Sequence, residues 1–100
     1  MKEVTVQELK ALIDSKADFQ LIDVREQHEF DDVNLNGVFI PMGDVMENAD
    51  QIVKDKQVVI HCRSGKRSAA VIAALETQLG YTNLYNLKGG ILAYIEEIGL

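Results

Sequence analysis

The chain has 100 residues, of which 47% are hydrophobic and 26% charged, and this composition favours one ordinary globular domain over a disordered or repetitive chain. Its formal net charge of −6 argues against nucleic acid as the main partner, because phosphate binding requires a basic face. The single cysteine excludes an intramolecular disulfide, and neither a signal-peptide core nor a run of about 18 apolar residues is present, so we expect a cytoplasmic protein with no membrane partner.

The first third of the chain alternates helix and strand patterns. Thr5 and Glu8 form a capping box ahead of apolar residues at helical spacing, which predicts a helix that ends in the polar residues 14–18. The branched residues of 20–24 predict a strand, and the charged stretch 25–32 predicts a helical turn.

The same alternation continues to the end of the chain. A strand over residues 38–40 is predicted to stop at Pro41, and Asp44 or Asn48 is expected to cap a helix that reaches about Lys54. The remaining predicted elements are, in chain order, a strand over residues 57–61, a helix over residues 68–79 with Gly80 as its left-handed C-cap, a strand over residues 83–86, and a helix over residues 91–98 after a turn at Gly89 and Gly90.

Short apolar strands that alternate with helices predict an α/β protein whose mostly parallel sheet is covered on both faces. In such folds ligands bind at the carboxyl ends of the strands. Cys62 directly follows the 57–61 strand, so we expect it at that edge. Asp23 ends the 20–24 strand at the same edge, where it either accepts backbone hydrogen bonds from the loop or pairs with Arg25.

The loop after Cys62 concentrates positive charge in an acidic chain, because Arg63, Lys66 and Arg67 lie within five positions. A lone cysteine beside a strand is more often a small buried hydrophobic residue than a catalyst, and three cations can also belong to a solvated turn. Together they favour a thiolate nucleophile for an anionic substrate, since the cations and the N-terminus of the 68–79 helix both lower a thiol pKa.

The two histidines are weaker candidates. His61 precedes Cys62 on a strand, so its side chain is expected on the opposite face and is a poor base for the thiol. His28 lies in a charged turn and is expected to be solvated. Without clustered ligand spacing, no metal site is expected.

Two phosphate-binding motifs fail on spacing. The Gly-x-x-x-x-Gly-Lys-Ser/Thr loop of nucleotide hydrolases would need glycine at Ile60 and serine or threonine at Arg67. The Cys-x5-Arg loop of cysteine phosphatases needs arginine six positions after the cysteine, where this chain has Ser68. The loop is one residue too short to close around a tetrahedral phosphate in that way.

Four segments in order resemble the rhodanese-like domain family, and together they span nearly the whole chain. The segments are residues 21–25 followed by Glu29 and Phe30, residues 37–41, residues 59–68 and residues 84–91. The resemblance implies a three-layer α/β/α sandwich with a central five-stranded, mostly parallel sheet, formed by a single domain over residues 1–100. Val33, Asn34 and Tyr94 depart from the family's common residues, in the scaffold rather than at the nucleophile.

The resemblance also implies a thiosulfate sulfurtransferase. Cys62 would attack the outer sulfur of thiosulfate or of a persulfide, hold it as a persulfide and pass it to cyanide or a thiol. The substrate-binding residues that it implies, through their amides or their charge, are Arg63, Ser64, Gly65, Lys66, Arg67 and Ser68. Asp23 and Arg25 are candidates for supporting the loop. The expected partners are a small anionic donor, a thiol or cyanide acceptor and a second sulfurtransferase, and no cofactor is called for.

Two other functions stay open at this stage. A sulfur carrier or protein-interaction module would accept persulfide from a partner enzyme and show negligible turnover of thiosulfate. Phosphatase or arsenate-reductase chemistry is disfavoured by the position of Arg67, five residues after Cys62.

Overall fold

The computed structural model describes residues 1–100 as an α/β fold built on one sheet. The strands are β1 (Glu3–Val4), β2 (Gln20–Asp23), β3 (Val38–Phe39), β4 (Val58–His61) and β5 (Leu84–Leu87). The helices are α1 (Val6–Asp14), α2 (Gln27–Asp32), α3 (Lys66–Leu79) and α4 (Gly90–Glu97), with 3₁₀ turns at Met42–Asp44 and Ala49–Gln51. None of these helices combines the length and the apolar character that crossing a membrane requires.

The five strands are all parallel and lie in the order β1-β5-β4-β2-β3, which confirms the predicted sheet. Strand β4 lies at the centre, and its run of Val58, Val59 and Ile60 is fully buried, as expected for a strand covered on both faces. Its register places Ile60 opposite Asn86 of β5. The carboxyl ends of β2, β4 and β5 therefore meet at one edge, where Cys62 begins its loop.

Each face of the sheet carries its own apolar core, which makes the fold a three-layer sandwich. On one face α3 and the 3₁₀ segment cover Ile60 and Cys62, and on the other α1 and α4 cover Val59. Removing a side chain such as Ile72 or Leu9 from water contributes about 1.5–3 kcal/mol. Both cores are needed to bury β4, because its successive side chains point to opposite faces of the sheet.

The helix ends show how local sequence sets the elements. The capping box before α1 is confirmed: the Glu8 amide donates to Thr5 Oγ1 at 3.1 Å, and the Thr5 amide donates to Glu8 Oε1 at 2.9 Å. Helix α3 begins at Lys66, two residues earlier than predicted, after Gly65 in a left-handed conformation. Its C-cap is the left-handed Gly80, as predicted.

The helix predicted from Asp44 or Asn48 to about Lys54 is wrong. The structure has two separate 3₁₀ turns there, Met42–Asp44 and Ala49–Gln51, and no α-helix. Asn48 precedes the second turn, but its side chain makes no capping hydrogen bond there, and Asp44 lies inside the first turn rather than ahead of it.

Side chains that are distant in sequence bind carbonyl groups of this segment. The Tyr81 hydroxyl lies within hydrogen-bonding distance of the carbonyl oxygens of Ala49 (2.7 Å) and Ile52 (3.0 Å). Gln20 Nε2 donates to the carbonyl oxygen of Gln51 at 2.8 Å. These bonds depend on tertiary packing, so local sequence does not reveal them.

Strand β1 was absent from the elements predicted by pattern, although the family resemblance implies a fifth strand. It has only two residues, and Glu3 and Val4 pair with Asn86 and Leu87 of β5. A strand this short is too brief to show the apolar alternation that identifies strands in sequence.

Candidate active site

Cys62 lies at the start of the loop from β4 to α3, with 1% of its surface exposed. Its Sγ atom accepts a hydrogen bond from the Gly65 amide at 3.1 Å. The Ser68 hydroxyl lies 3.4 Å from Sγ, but it has one proton and is closer to Asn86 Oδ1, at 2.6 Å. The Gly65 amide is therefore the firmest donor to the sulfur.

The pKa of the Cys62 thiol lies below its ordinary value. Burial of the sulfur is the largest single effect and raises the pKa, but the nearby Ser68 hydroxyl and the amides of Ser68, Gly65 and Ser64 together outweigh it. These amides belong to the loop and the first turn of α3, where donors are unpaired within the helix. Because the thiolate is the nucleophilic form of cysteine, the loop favours the form of Cys62 that can act as a nucleophile.

Asn86 of β5 fixes the shape of the loop. Its Nδ2 donates to the carbonyl oxygen of Gly65 at 3.0 Å, while its Oδ1 accepts from the Ser68 hydroxyl. Gly65 has φ of 103°, a left-handed conformation that side chains resist. One carboxamide thus binds both the turn of the loop and the start of α3.

The first turn of α4 holds the loop from the other side. The amides of Ile91 and Leu92 donate to the carbonyl oxygens of Cys62 (3.0 Å) and Arg63 (3.1 Å). Gly90 makes this approach possible, because a Cβ atom there would lie 2.3 Å from the Arg63 carbonyl oxygen. The backbone of the loop is therefore bound on two sides, by β5 and by α4.

The three cations of the loop differ in their surroundings. Arg63 and Lys66 are exposed and form no ion pair. Arg67 forms a bidentate ion pair with Glu29 of α2, with N–O distances of 2.7 and 2.9 Å. The hydrogen bond from Arg67 is the main reason that the pKa of Glu29 falls to about 2. The carboxylate is thus ionised at any pH near neutrality.

Asp23 pairs with Arg25, which decides between the two interpretations of this carboxylate. Both side chains are buried, and Asp23 accepts from the Arg25 amide at 3.0 Å and from its guanidinium at 2.7 to 3.1 Å. Arg25 also donates to the carbonyl oxygen of Val33, just after α2. Neither side chain hydrogen-bonds to residues 63–68, so the pair ties the end of β2 to α2.

The histidines lie away from the thiol. His61 is fully buried, and its ring contacts are the Cys62 carbonyl oxygen at 3.4 Å and Asp23 Oδ2 at 3.7 Å. Burial lowers the pKa of His61, against the opposing charge of Asp23, so its imidazole is neutral. His28 is 78% exposed. Neither histidine hydrogen-bonds to Sγ.

One group of side chains has donor types that metals use. Ligand atoms of Glu26, His28 and Glu29 lie within 4.8 Å of one another. Both oxygens of Glu29 already accept hydrogen bonds from Arg67, and the other two residues are exposed. The arrangement is explained by the ion pair, and it gives no reason to place an ion there.

Two shallow grooves flank the loop at the carboxyl edge of the sheet. One has a volume of about 570 Å³, and its polar lining residues are Arg25, Glu26 and Arg67. The other, of about 490 Å³, lies on the α4 side and is lined by Arg25, His28, Glu29, Asp32 and Arg63 together with apolar residues of α4. The pair of Glu29 and Arg67 lies between them, one partner in each lining.

The residues that support the loop were partly missed in the sequence. Asn86 and Gly90 carried no predicted role beyond a strand end and a turn, and Glu29 appeared only within a family segment. A polar residue among the leucines of β5 was the one local signal for Asn86. The partners of all three lie more than fifteen residues away in the chain, so no short-range pattern links them.

The fold and the site define an α/β protein that holds a hydrogen-bonded cysteine thiol at the carboxyl edge of a parallel sheet. Residues 5–97 match the family model of the rhodanese-like domain. The chain is 38% identical over 98 residues to "Putative sulfurtransferase YtwF" of Bacillus subtilis, with 97% of this chain and 93% of that protein covered. The chain belongs to the rhodanese-like domain family.

Two further similarities place it within that family. The chain is 29% identical over 90 residues to "Putative sulfur carrier protein YrkF" of Bacillus subtilis, with 89% of this chain and 48% of that protein covered. A solved rhodanese-like domain protein from Staphylococcus aureus superposes with a TM-score of 0.85 at 33% identity, over 94% of this chain and 91% of that chain.

Proposed function

We propose that this protein is a sulfurtransferase that moves a sulfane sulfur from thiosulfate or a persulfide to cyanide or a thiol, through a persulfide on Cys62. The proposal rests on the environment of the Cys62 thiol. The thiol is buried at the end of β4, its Sγ accepts a hydrogen bond from the Gly65 amide, and its pKa is lowered. Residues 1–100 would act as one domain. A cytoplasmic setting belongs to the same proposal, because thiols are kept reduced there.

The chemistry needs two displacements at sulfur. The Cys62 thiolate attacks the outer sulfur of the donor, the S–S bond of the donor breaks, and the leaving group departs with the electron pair, as sulfite from thiosulfate. An acceptor nucleophile then attacks the outer sulfur of the persulfide, and the Cys62 thiolate is regenerated. The amides of Ser64, Gly65 and Ser68 would stabilise the negative sulfur, and Arg63 and Lys66 would attract an anionic donor.

The first prediction concerns the covalent intermediate. Incubation with a sulfur donor should add one sulfur atom to the mass of the intact protein, and cyanide should remove it. Cys62→Ser should abolish the addition and lower turnover by about 10³-fold or more, because the nucleophile is lost. Intact mass spectrometry with steady-state thiocyanate formation measures both.

Cys62→Ala serves as a second control, since it removes the hydroxyl that serine would still present. Sulfur that stays bound to either variant after desalting would contradict the assignment of Cys62 as the carrier.

A second function is favoured by the similarity to the protein named as a sulfur carrier. In that case Cys62 receives the outer sulfur of a persulfide on a partner sulfurtransferase, and the protein shows negligible turnover with small donors. A steady-state assay with several donors and acceptors, run beside a pull-down with the wild-type protein and Cys62→Ser, separates the two. Mass loading from a partner's persulfide without turnover of small donors would support the carrier role.

A further inference from the structure

The ion pair between Arg67 and Glu29 joins the start of α3 to α2. It lies between the two grooves beside the loop, which together we call the mouth of the site. Nη1 of Arg67 donates to Oε1 of Glu29 at 2.7 Å and Nη2 donates to Oε2 at 2.9 Å, and Glu29 is 15% exposed. Glu29 Oε1 also accepts the amide of Glu26 at 3.1 Å, in the capping box of α2. The Glu29 carboxylate is therefore positioned by a backbone amide at the start of α2 while it forms the ion pair with Arg67.

The charges around the mouth are close to balanced. The linings of the two grooves contain three arginines and three acidic residues, namely Arg25, Arg63, Arg67, Glu26, Glu29 and Asp32. In addition, the buried carboxylate of Asp23 neutralises the charge of Arg25. Only Arg63 and Lys66 lack an acidic partner, so the loop offers an incoming anion less positive charge than its sequence suggests.

We propose that Glu29 determines donor specificity: by holding the Arg67 guanidinium it keeps the mouth from favouring doubly charged donors such as thiosulfate, and it selects singly charged or neutral persulfide-type donors. This inference rests on the proposed transfer of sulfur through Cys62. Glu29 touches no reacting atom in it; it acts through Arg67 and through its own charge.

A pair of donors isolates charge from chemistry. Thiosulfate carries two negative charges, and methanethiosulfonate is a similar molecule in which a methyl group replaces one oxygen and one charge. In both, the Cys62 thiolate takes the outer sulfur and the S–S bond breaks. Sulfite leaves in the first case and methanesulfinate in the second, each with the electron pair of that bond. The ratio of kcat/KM for the two donors therefore reports the field at the mouth.

Glu29→Gln should raise that ratio, thiosulfate over methanethiosulfonate, about three- to tenfold. Removing one negative charge at the mouth relieves the repulsion of a dianion by twice as much as that of a monoanion, and partial solvent screening sets this range. The gain should shrink in 0.5 M salt. Asp31→Asn is the matched control, since it removes the same charge from α2 at a residue outside both grooves, and its ratio should stay at the wild-type value.

The double variant Glu29→Gln/Arg67→Gln tests whether the effect passes through the arginine. It removes both charges, so its ratio should return to near the wild-type value. A ratio in Glu29→Gln equal to that of Asp31→Asn would overturn the proposal, and so would a double variant that keeps the full gain. If Glu29 had only a structural role, Glu29→Gln would lower kcat/KM for both donors by the same factor and leave their ratio unchanged.

A measurement on the wild-type protein covers the case in which Glu29→Gln fails to fold. With the mouth nearly balanced in charge, the donor ratio should change by less than about twofold between 0.05 and 0.5 M salt. A steep fall of the ratio with salt would show a strongly cationic mouth and overturn the inference. Failure of the proposed function looks different, because no small donor would then load sulfur onto Cys62 at all.

Discussion

Asn86 is the residue through which β5 shapes the loop after Cys62. Its carboxamide binds the carbonyl oxygen of Gly65 with one end and the Ser68 hydroxyl with the other, and it is 5% exposed. Ser68 is fully buried, so water does not replace its bond if the amide is removed. An unsatisfied buried polar group costs about 1–3 kcal/mol.

Asn86→Ala should therefore lower the free energy of unfolding by about 2–3 kcal/mol, measured by urea denaturation. Asn48→Ala is the comparison, because Asn48 also donates one side-chain hydrogen bond, to the Asp44 carbonyl oxygen, but does so near the surface. Its loss should stay below about 1 kcal/mol. Equal losses in the two variants would show that the loop does not depend on Asn86.

At the same scale, sequence reasoning located the candidate nucleophile and left its supporting residues open. Cys62 was identifiable because a unique thiol, a strand end and a glycine-containing loop coincide within a few residues. Asp23 had two interpretations that only three-dimensional contacts could separate, since Arg25 and the loop were both within reach. Glu29 needed α2 and α3 to be placed side by side before its partner could be known.

At the scale of elements, the contact of α4 with the loop depends on glycine. Gly90 has φ of 64°, and a Cβ atom there would lie 2.3 Å from a backbone oxygen that cannot move without moving the loop. Two other glycines provide graded comparisons. Gly80 has φ of 71° with open space around it, and Gly43 has an ordinary φ with open space.

Replacement of these three glycines by alanine should therefore give a graded loss of stability in thermal unfolding. Gly43→Ala should change the free energy of unfolding by less than about 0.5 kcal/mol, and Gly80→Ala should cost about 1 kcal/mol for its left-handed conformation. Gly90→Ala should cost more than about 3 kcal/mol, because clash is added to strain. A Gly90→Ala protein as stable as Gly80→Ala would contradict the close approach of α4.

Elements were predicted well where their own sequence stabilises them. The capping box of α1 and the glycine C-cap of α3 are local signals, and both are confirmed. The helix predicted from Asp44 or Asn48 to about Lys54 was wrong, and Tyr81 and Gln20, far away in the chain, bind carbonyl groups of that segment. Strand β1 exists only because β5 offers an edge to pair with.

At the scale of the whole molecule, burial of β4 on both faces places a titratable ring in the interior. His61 has no exposed surface, and its Nε2 atom has no hydrogen-bond partner. Burial lowers the pKa of His61 below that of the unfolded chain, which is about 6.5. The unfolded state therefore binds a proton first as the pH falls.

The stabilising effect of the neutral His61 should be complete above about pH 6.5 and lost progressively below it, by up to about 1.4 kcal/mol per pH unit. Urea unfolding between pH 8 and pH 5.5 should show this slope in the wild-type protein. His61→Asn should flatten it, whereas His28→Asn, at an exposed position, should keep it. A slope that survives in His61→Asn would assign the acid sensitivity to another group.

The overall architecture followed from the alternation of strands and helices, because parallel strands need crossover helices and those helices cover both faces. The position of Cys62 and its loop at the carboxyl edge followed from the same rule, because ligands of such folds bind at that edge. The balance of charge around the site did not follow. It arises from α2, whose acidic residues are distant from the loop in sequence and adjacent to it in the fold.

The bonds from α4 to the carbonyl groups of Cys62 and Arg63, together with the bond from Asn86 to Gly65, have a consequence for how sulfur would leave the protein in the proposed transfer. A loop whose backbone is bound on two sides does not carry its cysteine outward as a mobile arm. The persulfide would therefore be collected where it forms, at a cysteine with 1% of its surface exposed. A protein acceptor would need to present its thiol on a projecting or mobile segment, so the reach of the acceptor would govern delivery to large partners.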